Sequence, residues 1–347
     1  MQTSTFLKRI IILTCAILTV ILFQRVESVN LIYTRWIYPI VRKVLNGFSS
    51  LFPFSLYDLF IVAAVVALVY GLVCLLRRKT RKAAFQYIVL GAGWLYVVFY
   101  LVWGINYFAP GFLKRNRLQA PLFEETQFKT FLHDYVDSLN ANFTAIPDYT
   151  ERQLDSLIRL SERQVCETWN FPTLPSTASA KPMLFGRTYA AMGIRGYYGP
   201  FFGEAHVNPY YLPHERAAVT AHELGHLAGV TSEAEANLYA YLITTNSDNQ
   251  AIRFSGYYSV LPYMLANAYR TLPEKEYTEF TARINPRIRA LYNDTRRHWQ
   301  SLYSQQLGQV QDYVYELYLK NNNIPSGQAN YSEVTGLLMA IKYGKKE

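Results

Sequence analysis

Two uncharged apolar stretches, "LFIVAAVVALVYGLVCLL" at 59–76 and "AAFQYIVLGAGWLYVVFYLVWGI" at 83–105, are separated only by "RRKTRK". Each is long enough to cross about 30 Å of hydrocarbon at about 1.5 Å per residue. Both read as transmembrane helices. A third run, "IIILTCAILTVILF" at 10–23, follows Lys8 and Arg9. Its length also suits a signal-peptide core, but "QRVESVN" offers no small-x-small cleavage site and two spans follow, so it reads as a retained helix.

Charge divides the chain at the same place. Residues 1–109 carry eleven Lys/Arg and two acids, whereas 110–347 carry 23 of each. The basic balance of +9 therefore belongs to the apolar part, which discounts nucleic acid as a partner and names the lipid bilayer instead. Basic residues before the first span and at 77–82 set the cytoplasmic side. Loop 24–54 and everything after Asn106 then lie outside, in a multi-pass protein of the cell (inner) membrane with an extracytoplasmic C-terminal domain. "NLIYTRWIYPIVRKVLNGFSSLFPF" within that loop reads as an interfacial helix or as a segment packed on the spans. Three cysteines, one of them in the polar part, exclude a zinc site built from cysteine.

The polar part, 110–347, reads as mainly helical. Three-to-four spacing of apolar residues predicts helices over 124–144, 150–169, 214–228, 232–246 and 255–271, a long one over 287–320, and a final amphipathic helix in "ANYSEVTGLLMAIKY". Glycines, prolines and aromatics between 170 and 213 predict short strands in a small sheet.

The chemistry concentrates in "AVTAHELGHLAGVTSEAEANLYAYL", 218–242. Residues four apart share a helix face, so His222 and His226 present two imidazoles to one point, with Glu223 beside them. H-E-x-x-H on a helix is the arrangement that binds zinc and uses the glutamate as general base. A catalytic zinc needs a third protein ligand and an open position. A third histidine at 232 is excluded, because Ser232 stands there. Gly229 reads as a left-handed cap and Ser232 as the N-cap of the next helix, with Glu235 closing a capping box. Glu233 is then free to be the third ligand, and Asn237, four residues on, to accept the outward N–H of a ligating histidine. Glu235 as ligand is the alternative. His206 and His214 read as loop histidines without a metal role.

"HELGH" followed by "ExxAN" resembles the gluzincin-type zinc metallopeptidases, which take two histidines from one helix and a glutamate from the next. In several of those branches an acid stands where this chain has Asn237. "KPMLFGRTYAAMGIRGYYGPFFGEAHVN" and "RFSGYYSVLPYML" further resemble a bacterial multi-pass membrane family of unassigned function. The first resemblance implies a mostly helical zincin-like α+β domain with Zn2+ on His222, His226 and Glu233. It implies hydrolysis of a peptide or cell-envelope substrate, with Glu223 as the base. Arg253, Tyr257 and Tyr258 are candidates to stabilise the oxyanion. "GEAHVN", 203–208, reads either as an edge strand that aligns an extended peptide or as a buried core strand. A zinc-stabilised, non-catalytic domain binding an envelope partner is the competing expectation. Intramembrane cleavage is excluded by the charged flanks "LPHERAAVTA" and "TSEAEAN". Oligomeric state is not encoded in any visible pattern.

Overall fold

A computed structural model describes residues 2–346. The chain divides into two compact units, one comprising residues up to Ala109 with Gly199–Glu204, the other Pro110–Tyr198 with Ala205 onward.

The first unit is helical: α1 (Gln2–Arg25), α2 (Glu27–Ile32), a π-turn at Tyr33–Ile37, α3 (Tyr38–Ser49), α4 (Leu56–Leu76) and α5 (Arg81–Val102). The helices α1, α4 and α5 are long and apolar enough to cross a membrane. The last of them ends three residues before the apolar run does, where Gly104–Phe108 winds into a 3-10 turn. The segment through α3 is amphipathic in the inverted sense. Tyr38, Arg42, Asn46 and Ser49 are buried, while Trp36, Ile40, Val44 and Phe48 are exposed, Trp36 at 72%. In water the opposite arrangement is the rule. At the start of α4, Ser55 Oγ accepts from Asp58 N, and the Glu204 carboxylate accepts from Leu56 N and Tyr57 N. An anion there complements the positive end of the helix dipole.

The second unit opens with a short helix, α6 (Phe112–Arg115), and strand β1 (Leu118–Gln119). Two longer helices follow, α7 (Glu125–Asn142) and α8 (Glu151–Trp169). Thr150 caps α8 through a box with Gln153, and Asn170 ends it in the left-handed region. Then come β2 (Ala180–Pro182), α9 (Gly186–Ala191), β3 (Gly196–Gly199) and β4 (Glu204–Val207). These strands form one sheet in the order β2-β4-β3, with Ala180 opposite Ala205 in parallel register. The strand carrying "GEAHVN" is therefore central and buried, not an edge on which a peptide can align. The edge is β3.

Helices α10 (Pro213–Ala228), α11 (Glu233–Thr245) and α12 (Gln250–Thr271) pack on one another as the centre of the unit. Proline at the first position starts α10, and Asn249 caps α12 through two backbone N–H groups, five residues earlier than the apolar spacing predicts. Close packing of α10 on α11 needs Gly225, because a Cβ there would press on Tyr239, which is fully buried. Next come α13 (Glu274–Arg283), which the apolar spacing does not reveal, α14 (Pro286–Leu302) and α15 (Gln305–Asn321). The single long helix expected over 287–320 is thus two. Tyr303 and Ser304 are extended, Ser304 N donates to Ala191 O, and Tyr303 folds back over Gly308, where a side chain would collide with it. A 3-10 turn at Gly327–Glu333 leads into α16 (Val334–Tyr343), and β5 (Lys345–Lys346) pairs antiparallel with β1.

Candidate metal centre

The end of α10 builds half of the site from local rules. Gly229 adopts φ +112°, and Val230 N donates back to Gly225 O. That left-handed cap turns the Val230 carbonyl toward the helix it has just left, where it accepts from His226 Nδ1 at 2.7 Å. Ser232 then caps α11, its Oγ accepting from Glu235 N at 3.4 Å. The reciprocal half of the expected capping box is absent. The Glu235 carboxylate instead accepts from Phe112 N at 2.7 Å and Arg115 Nη2 at 2.6 Å. A charged guanidinium is a better partner than one cap N–H, and it removes Glu235 from the contest for third ligand.

Glu233 faces α10. Its Oε2 lies 3.2 Å from His222 Nε2 and 3.5 Å from His226 Nε2, and the two Nε2 atoms are 3.1 Å apart. Asn237, one turn further along α11, accepts from His222 Nδ1 at 2.9 Å. Since both Nδ1 atoms face oxygen acceptors, the protons belong on Nδ1 and the Nε2 lone pairs point at each other and at a carboxylate. Three electron-rich atoms held this close repel unless a cation lies among them. Ligand atoms about 2.0–2.2 Å from one tetrahedral zinc stand roughly 3.3–3.6 Å apart, close to the spacings seen here. His222, His226 and Glu233 are the one such group of metal-binding side chains among the described residues.

The electrostatics agree. Burial works to lower the His226 imidazole, but the Glu233 carboxylate outweighs it and raises His226 to about 9. Burial works to raise Glu233, but His226 and His222 hold it well below the usual carboxylate range. A pocket that draws in a proton so strongly attracts any cation. Tyr315 on α15 donates to Glu233 Oε1, leaving Oε2 for the centre. Oε2 is buried with no hydrogen-bond partner among the described residues.

Glu223 is 4% exposed, and burial raises its carboxyl to about 7, with His222 and His226 opposing and Glu233 reinforcing. Its Oε2 also has no partner among the described residues. Edge strand β3 runs against this carboxylate so closely that any side chain at Gly196 would collide with Oε1.

The other residues singled out in the sequence have different surroundings. Arg253 donates to Asn142 Oδ1, Ser247 O and Asp248 O. Tyr257 packs between Tyr135 and Tyr241, and its carbonyl accepts from Tyr135. Tyr258 and His214 share Thr295 Oγ1. His206 stacks on Tyr197 at 4.4 Å. None of these partners is His222, His226 or Glu233. The phenols around the centre are others. Tyr263 bonds to Asn237 and, chiefly by burial, is pushed up to about 12; Tyr331 bonds to Tyr315 and is also raised by burial. Tyr211, raised by burial, feels the charges of Glu223 and Arg195. All three stay protonated and can donate. Tyr263 lies in the quoted "RFSGYYSVLPYML", six residues past Tyr257. Tyr315 and Tyr331 are far away in sequence and carry no local signal.

A family described as a protein of unknown function (DUF3810) has a model that matches residues 33–339. The chain belongs to the DUF3810 family. The DUF3810 match covers His222, Glu223, His226, Glu233, Asn237 and the surrounding tyrosines. No curated protein and no solved structure matches the chain.

Proposed function

We propose that this protein is a membrane-anchored, zinc-dependent peptidase with a zincin-like second unit. One observation carries the reading: two imidazole nitrogens and a carboxylate oxygen converge within 3.5 Å, and a second carboxylate, Glu223, follows His222 in sequence with its Oε2 buried and without a hydrogen-bond partner among the described residues. A structural zinc site closes its four positions with protein atoms, whereas three ligands leave one open. His222, His226 and Glu233 would hold the ion, which when bound lowers the pKa of water and polarises a carbonyl.

The protein's own groups do the rest. Glu223 takes a proton from water as its oxygen attacks the scissile carbonyl carbon, and gives that proton to the amine nitrogen as the C–N bond breaks. The Glu223 carboxyl, buried and with Oε2 free of partners among the described residues, is positioned to do both. Neutral phenols at Tyr263, Tyr331 and Tyr211 are the donors available to the developing oxyanion. Edge strand β3, beside Glu223, offers backbone groups to an extended substrate. The positive-inside distribution of Lys/Arg supports an extracytoplasmic position at the inner membrane, where peptide or cell-envelope substrates would be met.

The test uses the full chain in detergent or nanodiscs. Glu223→Gln is expected to retain the parent's zinc content and lose at least 100-fold in hydrolysis of a mixed peptide pool. Equal turnover in both proteins contradicts the proposal.

A further inference from the structure

The strand that covers Glu223 begins at an arginine. Arg195 immediately precedes Gly196, and its guanidinium lies over the Trp299 ring, 4.7 Å from the centroid. The platform is fixed from behind. Both Glu215 oxygens are 3.1 Å from Trp299 Nε1, and Oε2 also accepts from Leu212 N. Glu215 is thereby engaged, and its closest approach to Arg195 is 3.7 Å, an ion pair without a hydrogen bond. Half of the Arg195 side chain, 49%, is exposed.

The exposed side opens into a cavity of about 290 Å³ lined by Gly193, Arg195, Arg296, Trp299, Gln300 and Tyr303. Arg296 is exposed and has no ion-pair partner among the described residues. Neither guanidinium donates a hydrogen bond to a carboxylate there. Each carries five N–H donors in a planar fork that matches a carboxylate. An arginine held over an aromatic ring is already partly ordered and loses less entropy on binding. The cavity adjoins the strand that touches the proposed base.

We infer that the Arg195–Arg296 cavity is a subsite for a carboxylate of the substrate, so that the enzyme acts next to a free C-terminus or an acidic residue. The inference rests on the peptidase reading for its place in catalysis, but not for the binding itself. A substrate lying along β3 puts the scissile bond at Glu223 and its carboxylate on the two guanidinium groups.

The test separates the two claims. Three mixed-sequence tetrapeptide pools are prepared: free acids, C-terminal amides, and amides ending in glutamate. Binding is measured to the full-length, zinc-loaded Glu223→Gln protein, and hydrolysis with the parent. The acid pool is expected to bind at least tenfold more tightly than the plain amides. That preference should fall below twofold in Arg195→Gln and in Arg296→Gln. Preference for the glutamate-ended amides identifies a side-chain carboxylate as the ligand, and preference for the acids a terminal one. Equal binding of all three pools, absence of binding, or a preference that survives both substitutions overturns the subsite. Hydrolysis without preference removes the subsite and leaves the peptidase. Preference without hydrolysis in the parent does the reverse.

Discussion

Asn237 Oδ1 accepts from His222 Nδ1 at 2.9 Å across the bend that joins α10 to α11. It lies one turn beyond Glu233, so a single helix face supplies both a proposed ligand and the group that would orient another. Losing such a support typically lowers metal affinity 10–100-fold. Asn237→Ala is therefore expected to weaken zinc binding by that factor in a competition with a chelator, while Asn237→Asp, which keeps the acceptor, stays within a few-fold of the parent. An unchanged affinity in Asn237→Ala would show that the hydrogen bond does not hold the ring.

Gly196 is the point where strand β3 meets Glu223, the proposed base. A methyl group there collides with Glu223 Oε1, and a carboxylate misplaced by about 1 Å costs on the order of 100-fold in rate. Gly196→Ala should keep the parent's zinc content and thermal stability and lose hydrolysis to about that extent. Full activity in this variant would mean that the strand does not confine the base.

Acid should destabilise the second unit through His214. Its imidazole is lowered to about 4 by burial, beside Thr295 and the Tyr258 ring. In the unfolded chain it titrates near 6.5, so above that pH both states are neutral and stability is undiminished. As pH falls from about 6.5 to 4 the unfolded chain takes up the proton and the folded one does not, so stability is lost across that window. The loss approaches about 3 kcal/mol, from roughly two and a half pK units. Denaturant midpoints between pH 7 and 4 should fall less in His214→Gln than in the parent. Parallel curves would exclude the residue.

The inverted face of α3 calls for lipid. Burying Arg42, Asn46 and Ser49 while exposing Trp36, Ile40, Val44 and Phe48 is stable where hydrocarbon is the solvent outside. Spin labels at positions 40, 44 and 48, in a chain whose native cysteines are replaced, should be relaxed by oxygen and shielded from a water-soluble nickel chelate in proteoliposomes. Relaxation by nickel would place the face in water.

How much of this was legible in sequence follows from how local each feature is. The spans, α7, α8, α10 and α11 are written in periodicity and caps, and Gly229 and Ser232 sit where the spacing predicts. That Glu233 and Asn237 face His222 and His226 is legible for the same reason, since that placement depends only on the helix period and one bend. Where distant partners decide, the sequence is silent. Glu235 leaves its cap because Arg115, 120 residues away, is a stronger partner. The helix over 287–320 breaks because Ser304 finds the Ala191 carbonyl. Arg253 and Tyr257 share the helix of Tyr263, but rotation about the axis and packing on α7 give them other neighbours. Edge and centre of a sheet depend on strand order, which four-residue strands do not encode.

The central claim is that one ion sits on His222, His226 and Glu233. X-ray absorption at the zinc edge, on full-length protein loaded with zinc, measures it directly. The expected result is one zinc per chain with two imidazole nitrogens at about 2.0–2.1 Å, the remaining ligands oxygen, and no sulfur. Occupancy should collapse in Glu233→Gln and persist in Glu235→Gln. A chain that binds no zinc, or whose zinc keeps the same spectrum without His222, His226 or Glu233, contradicts the account.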